Sequence, residues 1–381
     1  MLSEITVSPA PHISKPLSTR SVMVDVVVGL VPAVIAAGYY FRMYAFILIA
    51  TCVITAAATE WLCNVIRKKP DPLESLGEFS AVVTGIILAL SVPPRLPVWA
   101  AAIGSAFSIA IGKMVFGGLG ANVFNPAMVG RAFLTASFGM LMTTWTVPVT
   151  VDPAMSRISA ENKVDARTQA TPLALSKQAI KANQKAAAYA RVIAELQKEP
   201  KTDRKAAAEL QKTTNAYNKS KEEAERCLAG VNTHLKAAFT GEIGGCLGET
   251  SALALLIGGM YLLVKRTISF HIPLAVMLSA FAFGGVAFLI NGDAYASPVF
   301  HLCSGGLLIG AFFIATDPVT APLSTKGMWI FGIGVGTITM LIRIVGEYPE
   351  GVMYSVLLMN AVTPLIDRFC KLVPAGGKPN V

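Results

Sequence analysis

Apolar residues run in ten blocks along the chain, and one polar region divides them five and five. The first five are Val22–Phe41, Met43–Ile66, Glu78–Val92, Leu96–Phe116 and Ala127–Val147. The second five are Leu247–Val264, Ile268–Ile290, Pro298–Ala315, Met328–Val345 and Val352–Leu372. Most reach the roughly 20 residues that a helix needs to cross a bilayer. Their ends carry stop signals, such as Arg67-Lys68-Lys69-Pro70, Pro93-Pro94 and Lys265-Arg266. The pattern predicts an all-α polytopic membrane protein with ten transmembrane helices. The first block is too long for a secretory signal, holds Asp25 and lacks a small-residue cleavage site, so it is read as a helix.

An odd number of crossings per half inverts the second half relative to the first, as in many transporter folds. Lys and Arg at 67–69, 113, 265–266, 326, 368 and 371 then share one side, with little beyond Arg42 and Arg95 opposite. The Lys/Arg bias makes that side cytoplasmic, together with both termini. Three regions result: membrane repeats at 1–147 and 246–381, and an extracytoplasmic segment at 148–245.

That middle segment holds half of the Lys and Arg residues and has its own periodicity. Leu175, Ala179, Ala182, Ala186, Tyr189, Ile193 and Leu196 step by four and three. After Pro200, the same spacing runs through Leu210, Thr213, Tyr217, Ser220, Ala224, Cys227, Val231, His234 and Ala238. A 3.5-residue period on two Ala-, Lys- and Glu-rich stretches predicts an antiparallel helical hairpin, turning near Pro200 and Asp203.

Composition agrees. Of 381 residues 54% are hydrophobic and 14% charged, against about a quarter charged in soluble domains. Mean hydropathy is +0.58. The net charge of +9 follows from the cytoplasmic-side bias and implies no nucleic acid. Six cysteines form no CxxC pair, and only Cys227 and Cys246 lie where they could join. The four histidines show no ligand spacing, so no metal site is expected.

Charges inside apolar spans are expensive and are candidates for function. They include Asp25, Glu60, Glu78, Lys113, Arg131, Glu249, Arg343 and Asp367, although those near span ends can snorkel to the interface. Asp25, Glu78 and Glu249 sit in aliphatic sequence where a carboxylate could pass a cation or proton. Asp317, at the polar exit of the eighth span, could bind a cation or could organise the Asp-Pro turn. The Gly117–Pro126 stretch is too rich in Gly, Asn and Pro for a plain helix. It fits either an unwound ligand-binding segment or tight small-residue packing. Asp165-Ala166-Arg167-Thr168-Gln169-Ala170-Thr171-Pro172-Leu173 reads as a turn-prone polar loop with two hydroxyls.

Four blocks resemble the family that holds the D subunit of the Rnf complex and the B subunit of the sodium-pumping NADH:quinone reductase. They are Gly117–Phe133, Leu247–Arg266, Phe312–Pro322 and Gly351–Asp367, with a matching Ser8-Pro9-Ala10-Pro11-His12 opening. The resemblance leaves out Ser176–Thr240. It implies two inverted five-helix repeats similar to urea transporters, in the inner membrane of a bacterium. It implies a flavin-carrying component, without a complete active site of its own, of a six-subunit complex. The A, B, C, E and G subunits join it as partners in moving electrons between ferredoxin and NAD⁺, coupled to Na⁺ or H⁺ transport. It also implies FMN joined by its phosphate to Thr171 by a flavin transferase, with Asp165, Thr168 and Ala170 completing the motif and Gln169 replacing a commoner Gly. An accessible hydroxyl on a water-exposed loop would suit that linkage. A second, non-covalent flavin, riboflavin or FMN, is implied near Gly118, Asn122 and Asn125. The rival reading is a solute or ion channel of the same fold.

Overall fold

The computed structural model describes residues 18–145, 171–197, 204–241, 244–346, 348 and 350–371. The expected turn near Pro200 and Asp203 lies outside them. Helices α1 (Thr19–Phe41) and α2 (Met43–Ile66) meet at Arg42, whose φ of 58° makes the corner. A 3-10 turn (Glu74–Glu78) leads into α3 (Ser80–Leu90). Helix α4 (Val98–Ile109) continues as a π turn (Ala110–Met114), and α5 (Pro126–Ser137) and the short α6 (Gly139–Met142) follow. Helices α7 (Pro172–Leu196) and α8 (Arg204–Thr240) form the hairpin. Then come α9 (Ala252–Val264), α10 (His271–Ile290), α11 (Pro298–Cys303) and α12 (Leu307–Ile309). A π turn (Gly310–Ile314), α13 (Thr325–Ile344) and α14 (Val352–Phe369) complete the order.

The described residues form no strand. Four helices, α1, α2, α10 and α13, are long and apolar enough to cross a membrane, and α3, α4 with its π turn, and α9 are shorter and apolar. The chain is therefore a helical membrane protein. Many helix starts are set by a side-chain oxygen that takes up a free backbone N–H. Ser251 caps α9, Ser324 caps α13, and Asn125 caps α5 with Pro126 in its first turn.

Several expected boundaries change, and the fifth span, expected over Ala127–Val147, breaks at Phe138 into α5 and the short α6. Phe79 adopts a left-handed conformation, φ 62°, so the third span begins at Ser80 and Glu78 stays in the 3-10 turn. The Ser251 cap delays the sixth span, so Glu249 precedes the helix instead of lying in it. The eighth breaks at Ser304-Gly305, where Gly305 takes φ 66°, and becomes α11, α12 and a π turn.

The hairpin matches its heptads. Ala179, Ala182 and Ala186 of α7 and Ser220, Ala224, Val231 and Ala238 of α8 are buried in the seam. It docks on one end of the bundle. The Tyr40 hydroxyl donates to the Thr240 carbonyl at 2.8 Å, Asn183 donates to the Asp293 carbonyl at 3.0 Å, and Leu173 and Val231 cluster with Ala296 and Phe300. The two halves approach backbone to backbone where α1 meets α9: a Cβ at Gly258 would lie 1.9 Å from the Gly29 carbonyl oxygen. They are also stitched by backbone. The N–H groups of Leu247 and Gly248 donate to the carbonyls of Val92 and Leu90, at 3.1 and 2.7 Å.

Candidate functional site

Two polar sites lie toward opposite ends of the bundle. The first is the root of the hairpin. Thr171, itself in an extended conformation, caps α7: its Oγ1 accepts the Ala174 N–H at 3.0 Å, and Pro172 follows in the first turn. The side chain is 7% exposed, which corrects the expectation of a water-exposed hydroxyl. Capping and the packing of Leu173 draw the threonine inward. Beneath it, a cavity of about 10 Å³ is lined by Thr171, Leu173, Gly244, Gly245, Glu249, Ser304, Gly305 and Glu350. Asp165, Thr168 and Ala170 fall outside the described residues.

Under that cavity lies a charge cluster. Arg131 of α5 donates to Glu350, approaches Cys246 Sγ at 3.4 Å, and lies 3.6 Å from Glu249 Oε1. Glu249 Oε2 accepts the Cys246 N–H at 3.4 Å, while Oε1 is buried with no hydrogen bond. Cys246, Glu249 and Glu350 present three ligand-type atoms within 4.8 Å of one another. Arg131 stands against all three, so a fixed guanidinium supplies the positive charge that a metal ion would bring. Nearby, buried Arg343 donates to the carbonyls of His301 and Ser304, at 2.6 and 2.9 Å. Cys246 is buried, and every described cysteine is a free thiol, so Cys227 and Cys246 do not join. In the hairpin, burial and then Glu223 push the Cys227 thiol above its ordinary pKa.

The second site is a slot of about 60 Å³ at the end away from the hairpin. Phe312, Phe313, Val83 and Ile87 give it apolar walls, and Lys113, Asn122, Asn125, Thr316 and Asp317 give it polar ones. The Gly117–Pro126 stretch supplies the two asparagines. It is non-helical up to Asn125, with Gly118 at φ 111°. Asn122 Nδ2 donates to the Phe124 carbonyl at 3.2 Å, whereas its buried Oδ1 has no partner. Lys113 is fully committed: it donates to both Glu60 oxygens at 2.8 Å and to Ser80 Oγ at 2.6 Å.

The carboxylates expected on an ion path do not share one cavity. Asp317 lines the slot and accepts from Thr320 Oγ1 at 3.1 Å. Asp25 is next to it through Thr267, a slot residue that donates to it at 3.0 Å. Glu249 belongs to the hairpin end, and Glu78 lines neither site. Glu350 was not evident in the sequence. It is a loop residue 219 positions from Arg131, and charge in a loop carries no signal by itself.

The profile of the NQR2, RnfD, RnfE family matches residues 6–376, a span that brackets the hairpin. The D subunit of a proton-translocating ferredoxin:NAD(+) oxidoreductase complex of Clostridium ljungdahlii is 39% identical over 375 residues, covering 97% of this chain and 96% of that one. Its Acetobacterium woodii counterpart, named for Na(+) translocation, is 40% identical over 96% of this chain and 94% of its own. The D subunit of an ion-translocating oxidoreductase complex of Stutzerimonas stutzeri is 38% identical, covering 96% of this chain and 95% of its own.

Proposed function

Since the chain belongs to the NQR2, RnfD, RnfE family, we propose that it is the D-type membrane subunit of an ion-translocating ferredoxin:NAD⁺ oxidoreductase. The observation that carries this is the match over residues 6–376, together with relatives at 38–40% identity named as the D subunits of such complexes. Relatives of near-equal likeness are named for protons and for Na⁺, so overall similarity does not select the ion. In this reading the protein crosses the bacterial inner membrane ten times as two inverted five-helix halves, with the termini inside and the hairpin outside. The A, B, C, E and G subunits surround it.

The redox part of the reading is a flavin carrier. Thr171 is the proposed FMN anchor, supported by the motif likeness at Asp165, Thr168 and Ala170. With α7 docked, its cavity is too small for that group. A second flavin is proposed at the slot at the other end, which at about 60 Å³ must widen to admit it: apolar Phe312 and Phe313 are at hand for a planar ring, and the open Asn122 Oδ1 can accept an N–H from it. Bound there, a flavin supplies one- and two-electron chemistry. The chain itself supplies apolar walls, the Asn122 and Asn125 amides, and Asp317 at the edge. Asp25, Glu78, Glu249 and Asp317 are the carboxylates proposed to handle the ion.

The test is ultraviolet fluorescence of the denatured protein after expression with a flavin transferase. A bright band that Thr171→Ala darkens is expected. A dark wild-type band overturns the covalent-flavin reading, and a bright Thr171→Ala band moves the anchor elsewhere.

A further inference from the structure

The seat of Thr171 conflicts with a phosphodiester there. The hydroxyl oxygen is already engaged as the cap of α7, and the side chain is 7% exposed. The cavity beside it measures about 10 Å³, room for about one water. A drug-sized ligand needs a site of roughly 300–1,000 Å³. Charge does not decide the matter, since Glu249 and Glu350 line the cavity and Arg131 is paired against both. The N-terminus of α7 attracts anions, but it cannot make room for one.

From this we infer that Thr171 is modified only after the first turns of α7 leave their seat. The docked root and the flavin-bearing root are alternative states of one segment. The inference rests on the reading of Thr171 as the anchor. The contacts that hold the seat are on hand. Leu173 is buried with Val231, Ala296 and Phe300. One turn further, Lys177 Nζ donates to the carbonyls of Arg343 and Ile344, at 3.2 and 3.1 Å. The Asn183 bond to the Asp293 carbonyl lies twelve residues along α7 from Thr171, so the root can release while the rest of the hairpin stays docked.

The chemistry requires that release. A phosphate monoester does not condense with an alcohol in water unaided, so the donor is a flavin dinucleotide. The Thr171 Oγ–P bond forms as the donor's P–O–P bridge breaks. The bridging oxygen leaves with the nucleoside monophosphate, the hydroxyl proton passes to the transferase or to water, and no electrons move. A second protein must reach Oγ1 for this to occur. The seat therefore sets how fast, and how completely, the protein is loaded.

Lys177→Ala tests this, because it loosens the seat and lies outside the motif a transferase would read. Two readouts are needed, both in membranes with limiting transferase. One is the rate of flavin loading on Thr171. The other is the rate at which Thr171→Cys is alkylated, followed by mass spectrometry with and without Lys177→Ala. The expected result is an increase of at least tenfold in both. Faster alkylation with unchanged loading overturns the inference, since opening would not limit modification. Unchanged alkylation also overturns it, since the seat would not be held as described. If the Thr171→Ala band stays bright, the anchor reading fails and the inference falls with it, a result the alkylation rates cannot produce.

Discussion

Lys113 donates to both carboxylate oxygens of Glu60 at 2.8 Å, and the two side chains are 2% and 1% exposed. With Ser80 Oγ as the third acceptor, the ammonium has all of its protons engaged. Breaking a buried pair by removing one partner typically costs about 3–5 kcal/mol, because the remaining charge is left uncompensated. Glu60→Leu and Lys113→Met should each lower the amount of folded protein sharply. The double variant should recover most of the loss. Thermal unfolding in detergent, run as a double-mutant cycle, measures the coupling; additive losses would show that the pair is not coupled.

Thr171→Ala removes the oxygen that caps α7. Loss of such a cap costs about 1 kcal/mol, so the start of α7 should open roughly fivefold more often. Thr171→Ser should keep the cap and the wild-type behaviour. Limited proteolysis of the unmodified protein at the hairpin root is the measurement.

Thiol chemistry reports on the hairpin. Burial and Glu223 hold the Cys227 thiol above its ordinary pKa, and only the thiolate reacts. Alkylation of Cys227 should therefore be slow near neutral pH. It should keep rising with pH where an ordinary cysteine has levelled off. Glu223→Gln should shift the curve toward lower pH. Peptide mass spectrometry across a pH series distinguishes this from a thiol that simply lacks access, whose rate would stay low throughout.

Asn122→Leu leaves the polypeptide path intact but removes the open acceptor in the slot. Non-covalent flavin extracted from the purified complex should fall at least tenfold, while flavin fixed to the denatured chain is unchanged. Equal extraction from wild type and variant would place the second flavin away from this slot.

The hairpin was legible because a 3.5-residue repeat of small residues has few meanings other than a packed helix pair. Ala182 and Ala224 are buried accordingly. Hydropathy found the long spans but misjudged the broken ones, since it registers Leu247 as apolar and cannot see that Ser251 starts the helix. The slot was readable in part, because Asn122 and Asn125 stand out in apolar surroundings. The partnership of Arg131 with Glu350 was not, as it depends on bringing α5 to a distant loop. Nor was the burial of Thr171, which follows from where α7 docks and not from any property of a threonine.

The bare contact between Gly29 and Gly258 bears on how such a protein can move. Backbone approaches backbone there, and the Leu262 and Phe313 side chains close in beside it, which leaves little room to flex or slide. Prising the halves apart there would forfeit close packing without exposing any group that could be rehydrated to compensate. Motion that opens either polar site is therefore expected to stay local to elements such as the root of α7 or α12 with its π turn, instead of rocking one half away from the other.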